Sequence, residues 1–548
     1  MQRLIITAVF LCLLALTGCK PQEAEVKSAA AVVPEPETAS SPPAAAPFPD
    51  EAERLKLFHS LVAVARTRHV FSANTEKNLG RTFEDEVPGL EREFAQADSI
   101  ERLIVAVYHF QNALHDAHCW YMPPYRPRVL TAGFSADVEW IDGQPRFYVS
   151  EIDDPELTQV ISPGDFIDEI DGIPAMQFME AFRLESNANQ RHTLANGIAD
   201  FLGRRMSPLI ELDDTVALGF VQRASGNKVS ITRQWQPPMA SQATKQSDID
   251  YSLRCSDRLA LRDYGTYELT AIGYNFCFYT SQTSPYDAYP IVRQFSFSYP
   301  NEGHFEHVLR LDHSLLRTLL STLPRAKGVL IDLRDNRGGN RDTLFMDWWA
   351  PEPYMHDVSE LLLVDDFADR AQLEQAGVTG WGSDAIDLYL AALKARTPGQ
   401  QFYRRPAFCQ NEACDGDTRY VPANQVTRLP LALFVGPTCV SACDGFALNM
   451  QTNNFATILG EPPRAGYTTY RLEYRVVTPD TQVDLGTLRF ALSREFNGTT
   501  GELIEGRPLP IDIPLWRTFE NSDRYDQLLV DAAIEALSIK LKPAGTID

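Results

Sequence analysis

Two stretches of the 548-residue chain have residue types suited to nucleophilic catalysis. In Pro430 to Met450, PLALFVGPTCVSACDGFALNM, an apolar run over Leu431–Val435 reads as a buried strand. It breaks at Gly436-Pro437 and resumes as an Ala/Leu-rich helical pattern, which leaves Ser441 at a strand-to-helix corner. A hydroxyl there stands beside the unpaired N–H groups and positive end of a helix, where an oxyanion would be stabilised. The plain alternative is an ordinary N-cap. The second stretch is Gly338-Gly339, just after the apolar run Gly328–Leu333. Glycines let the backbone approach a bound carbonyl and turn N–H groups toward it. Gly338 or Gly339 is therefore a candidate oxyanion donor, with the Ala442 N–H as a second, although a glycine pair alone also reads as a tight turn. A serine is a weak nucleophile without a base, so an imidazole or amine must come from elsewhere.

The order of four motifs narrows the choice. GVLIDLRDNRGGN, GPTCVSACDGFA, ILGEPPRAG and the late EGRPLPIDI resemble, in sequence and approximate spacing, the catalytic domain of the tail-specific (C-terminal processing) proteases and the core of tricorn protease, over about 265–540. The resemblance implies a ClpP/crotonase-like α/β core and peptide-bond hydrolysis through an acyl-enzyme, without metal or cofactor. Tail-specific proteases use a Ser–Lys dyad. Here Gly466 is followed by Tyr467 and no lysine lies between Lys394 and Lys540, which rules out that dyad from this region. The tricorn-like branch uses a histidine and a late glutamate. Leu114-His115-Asp116-Ala117-His118 is similar to its Leu-x-Asp-x-His and implies His118 as base, with His115 the competitor one turn earlier. Glu505 matches the Glu-Gly segment and would orient the imidazole, with Glu502 as its competitor. Two departures stand out: Pro508 replaces the second glycine of that segment, and Asp444 stands where a glutamate is usual. The same scaffold without an intact triad would be a ligand- or peptide-binding protein.

These residues need an α/β multidomain frame to hold them. Residues 51–127 read as a helical region, with Asp98 and Glu101 starting its last helix. Residues 128–240 read as short strands, with a hairpin at Asp142-Gly143. Ser162 to Gly172, SPGDFIDEIDG, resembles the turn and strand of PDZ modules, which implies a groove for peptide recruitment by strand addition. From 264 to 540 strands and helices alternate as in an α/β core, interrupted by an insertion over 341–429 that includes a helix near Asp384 to Ala395 and could cap the site.

Residues 1–19, MQRLIITAVFLCLLALTGC, read as an export signal. Leu16-Thr17-Gly18-Cys19 resembles a lipobox, which makes Cys19 a lipidated N-terminus; with Lys20 next, the outer membrane facing the periplasm is the expected home. Residues 20–50 form a Pro/Ala-rich linker. A net charge of −23 argues against nucleic acid as partner. In an oxidising compartment Cys409 with Cys414, then Cys255 with Cys277, are disulfide candidates. Cys439 and Cys443, flanking Ser441, read as buried packing residues or disulfide partners before a catalytic thiol. No Cys/His spacing suggests a structural zinc.

Overall fold

The computed structural model describes residues 47–125, 129–206, 215–237, 262–299, 305–339, 342–355, 357–367, 369–375, 383–404, 419–468 and 470–540. The chain divides into two units, Met1–Pro47 and Phe48–Asp548, and every element below lies in the second. The export segment, Cys19, Cys255, Cys409 and Cys414 fall outside the described residues. Among the described residues no helix is long and apolar enough to cross a membrane.

A seven-stranded sheet carries the site. Its strands lie in the order Ile513–Pro514, Ala456–Gly460, Leu431–Val435, Val329–Asp332, Ile291–Gln294, Phe276–Ser281, Tyr267–Ile272. The first five run parallel, and the last two add antiparallel. Alternate residues of Leu431–Val435 serve two cores, which is why that run is apolar throughout. Leu431, Leu433 and Val435 pack with Phe446, Leu448 and Met450 on one face. Ala432 and Phe434 pack on the other with Leu529, Val530 and Leu537 of the last helix, Tyr525–Lys540. Each fully buried Leu or Phe is worth about 1.5–3 kcal/mol, so the sheet interior is the stable base of the site.

The helical region is four helices, Glu51–Arg68, Ala73–Leu79, Phe83–Gln96 and Ile100–Asn112. The last is capped not by Asp98 but by Ser99, whose hydroxyl accepts the Arg102 N–H at 3.2 Å. Residues 134–234 build a separate sheet with its own core around Phe134, Phe147, Ile198 and Phe220. Asp142 and Gly143 at its hairpin both have positive φ (52° and 72°), as a two-residue type I′ turn requires. The turn expected to open a peptide groove is covered at Gly164, where the Phe519 ring packs against the backbone.

Within the insertion, the helix Asp342–Trp349 shares a core with the helix that follows Ser441, through Phe345, Met346 and Trp349 with Phe446. Val358–Leu362 pairs antiparallel with Ser493–Phe496. Leu361, Phe367, Leu373 and Tyr389 share one core with Phe58 and Phe110 of the helical region and with Leu472 and Phe490 of the hairpin Arg471–Ala491. The expected helix is present as Ser383–Lys394, and its Ile386 and Tyr389 lie in that core.

Candidate active site

The corner at Ser441 is held from several sides. Ser441 has φ 64° and ψ −128°, and its side chain makes no capping bond to the helix Ala442–Thr452 that follows, so the N-cap alternative falls. A non-glycine residue in such a region costs about 1–3 kcal/mol and persists only where its surroundings impose it. A disulfide joins Cys439 to Cys443 across the corner. The Ser441 N–H donates to the Gly466 carbonyl at 2.7 Å, and the Gly466 N–H donates to Asp444 Oδ2 at 3.1 Å. Burial pushes the Asp444 carboxyl well above the ordinary range. Gly445 has no room for a side chain because the Tyr467 ring lies against it.

Gly338 touches the same corner: a Cβ on it would strike the Val440 carbonyl, the Ser441 Cβ and the Ala442 nitrogen. Its own N–H donates to Asn336 Oδ1 at 2.8 Å. Gly339 has no such engagement among the described residues, so the available N–H groups are those of Gly339 and of Ala442, the first residue of its helix.

His118 follows the helix Ile100–Asn112 in a tight loop. Asp116 shapes that loop by accepting the His118 N–H on Oδ1 (2.8 Å) and the Thr468 hydroxyl on Oδ2 (3.2 Å). Gly466 fits between Ala117 and Val440, which brings the His118 loop against the Ser441 corner. Both side chains line one cavity of about 420 Å³, with Trp120, Asn187, Arg337, Arg464 and Arg471. The imidazole Nδ1 donates to the Thr468 carbonyl, which leaves the lone pair on Nε2. Burial, then the nearby Arg471 charge, lowers the His118 pKa to about 4, so the ring is neutral at pH 7. His115 lies on a different cavity, 3.9 Å from Glu86.

Glu505 is buried, whereas Glu502 is exposed and paired with Arg507 at 2.6 Å. Glu505 does not hydrogen-bond the imidazole. Its Oε2 accepts the N–H groups of Tyr467 (2.6 Å) and Thr468 (3.1 Å) and the Thr468 hydroxyl (3.3 Å), and its Oε1 accepts from Asn189 Nδ2 (3.1 Å). The carboxyl thus reaches His118 through Thr468, whose carbonyl holds the ring. Burial, then Asp116, raises the Glu505 pKa well above the carboxylate range. Ser72, Asn74 and Asn78, at and on the short helix Ala73–Leu79, fix this loop by donating to the carbonyls of Leu503, Glu505 and Gly506. Sequence reasoning missed Thr468, Asn189 and the role of this short helix, because their partners lie far along the chain.

Cys277 is disulfide-bonded and Cys119 is a buried free thiol. Among the described residues, His69, Asp116 and Cys119 are grouped closely enough to hold a metal. His69 Nδ1 accepts the Ala491 N–H, which puts the neutral ring's proton on Nε2, and both Asp116 oxygens already accept hydrogen bonds. These donors suit a hydrogen-bonded support for the His118 loop better than a metal cage.

No family model and no curated protein matches the chain. Among solved structures, mature CPAF superposes with a TM-score of 0.63 at 15% identity, over 91% of this chain and 99% of that one. Its complex with lactacystin gives 0.64 at 15% identity, over 89% and 98%. The photosystem II D1 C-terminal processing protease aligns at 13% identity over 88% and 98%, with a TM-score of 0.34, too low to support an argument. The chain therefore has an α/β multidomain fold, and it is the fold of mature CPAF.

Proposed function

We propose that the protein is a serine peptidase in which Ser441 is the nucleophile, His118 the base and Glu505 a positioning residue acting through Thr468. The observation that carries this reading is the shared cavity: a serine in a strained, non-capping conformation lies beside a neutral imidazole whose Nδ1 proton is committed to a carbonyl. His118 Nε2 takes the Ser441 proton as Oγ attacks the peptide carbonyl. The N–H groups of Gly339 and Ala442 hold the tetrahedral oxyanion. Collapse expels the amine, which receives the proton from His118, and water then repeats the sequence on the acyl-enzyme to release the acid and restore Ser441.

The indirect Glu505 link is the observation that favours a second reading, a binding protein with a silent site. Labelling with a serine-directed fluorophosphonate separates the two. Adduct on the wild type and none on Ser441→Ala or His118→Ala supports the peptidase; no adduct between pH 6 and 9 sinks it. Lactacystin, found bound to the similarly folded mature CPAF, is a second probe for the same comparison.

We place the peptidase in a bacterial cell envelope, tethered by acylated Cys19. The support is the leader and the linker in the sequence. Incorporation of labelled palmitate that disappears in Cys19→Ser supports the tether, and wild-type protein that takes up no label would end it.

A further inference from the structure

Several partly buried arginines among the described residues are neutralised by carboxylates, and buried Arg54 is satisfied by the carbonyls of Phe94, Pro49 and Ala95. Arg183 pairs with Glu86 at 2.8 Å, Arg223 with Glu139 at 2.6 Å, Arg489 with Glu473 at 2.7 Å and Arg334 with Asp332 at 2.6 Å. The Ser441 cavity breaks that pattern. Arg337, Arg464 and Arg471 line it together, no carboxylate lines it, and among the described residues none of the three has an ion-pair partner. Their present contacts are weak for a charged group. Arg464 donates one bond to Asn187 Oδ1 (3.0 Å) and Arg471 one to the His118 carbonyl (3.2 Å), while the buried Nε atoms of both have no acceptor. Arg337 is exposed, beside the Gly338-Gly339 turn.

Arg464 and Arg471 are partly buried, and with exposed Arg337 they crowd one cavity of a chain whose net charge is −23. Desolvated guanidinium groups without counter-charge are unfavourable unless a ligand supplies it, and a planar guanidinium matches a carboxylate with two parallel donors. Trp120, Asn187, Arg337 and Arg464 also line an adjoining cavity of about 580 Å³, in which Glu185 and Asp200 appear.

We propose that Arg337, Arg464 and Arg471 form a carboxylate-binding subsite beside Ser441, which selects peptides with an anionic group close to the scissile bond. This deepens, and rests on, the peptidase reading. The carboxylate can belong to an Asp or Glu side chain or to the peptide's C-terminus, and the chemistry of recognition is the same.

The test uses the full chain and fluorogenic peptides that differ at single positions around the cleaved bond as Glu, Gln or Lys, each made as C-terminal acid and amide. Wild type is expected to prefer Glu over Gln by about tenfold or more in kcat/KM, with the preference shrinking in high salt. In Arg337→Gln and Arg464→Gln the Glu-to-Gln ratio should collapse toward one, and Arg337→Lys should restore part of it. The ratio within one variant cancels any loss of folded protein. If acid beats amide while Glu equals Gln, the subsite stands with the chain end as its source. Equal rates for Glu, Gln, acid and amide in a protein that takes the fluorophosphonate overturn the subsite and leave the peptidase intact. Binding to Ser441→Ala, read by fluorescence anisotropy, separates the opposite case. Tighter binding of Glu or free-acid peptides, with no cleavage or label in the wild type, keeps the subsite and removes the peptidase.

Discussion

Arg334 and Arg337 lie three residues apart after the same buried strand and are treated in opposite ways. Arg334 is buried in a network with Arg262, Arg293, Asp332, Asp335 and Asp526, where every positive charge has a carboxylate. Arg337, with Arg464 and Arg471, faces the Ser441 cavity without one. The first group neutralises itself and fixes the strand end to the last helix; the second leaves its field available to whatever enters. Burying charge with its partner serves the fold, and withholding the partner serves a ligand.

The largest effect should come from breaking the paired group. Asp332→Asn leaves Arg334 buried beside a neutral amide and is expected to cost about 3–5 kcal/mol in urea unfolding. Burial opposes the Asp332 charge, but Arg334 and Arg262 override it and hold the carboxyl far below its ordinary value. A depressed pKa contributes stability above the unfolded value near 3.8 and loses it as pH falls, so wild type should lose this contribution in acid and Asp332→Asn should not. If Asp332→Asn unfolds at the wild-type urea concentration, the paired group is not a stabilising one.

Next in size is the disulfide. Cys439→Ser with Cys443→Ser frees the corner that holds Ser441 at φ 64°, and kcat/KM should fall by about 10–100-fold with little change in KM. Unchanged kcat would mean that the Gly466 hydrogen bond alone fixes the corner.

Arg471 links the unpaired group to catalysis. The base must be neutral, so kcat/KM should rise with pH through about 4 rather than near 6.5, and stay level above. Arg471→Met removes a cation that disfavours the imidazolium, so the acid limb should move upward by a few tenths of a pH unit or more. A limb that stays in place would show that burial alone sets the base. Smallest of all, Arg337→Gln should leave urea stability within about 0.5 kcal/mol, because the side chain is exposed and unpaired. A larger loss would place Arg337 in the fold rather than in ligand selection.

What the sequence made legible follows from how local each signal is. The strand Leu431–Val435, the corner and the following helix could be read because an apolar run, a Gly-Pro break and a helical pattern adjoin within twenty residues. The hairpin at Asp142-Gly143 was equally local, since its turn needs those two residues. His118 and Glu505 were reached only through resemblance, as both sit on loops that have no period. Thr468 between them was invisible: its role exists only because residues 116, 118 and 505 meet there. Which core the insertion joins was not legible for the same reason, since Leu361 and Tyr389 read as apolar positions whatever core they join. Ser99 and Asp98 are both good caps, and sequence could not rank neighbours whose difference is one of geometry. The missing partners of Arg464 and Arg471 are a tertiary fact, which no window of sequence contains.

The bridge between Cys439 and Cys443 has a further consequence for when the protein can act. Two thiols either side of a serine close across the corner only after an oxidant has removed two electrons from them. In the reduced chain the corner would rest on the Ser441 hydrogen bond to Gly466, so the state of one bridge sets how firmly the alcohol is held.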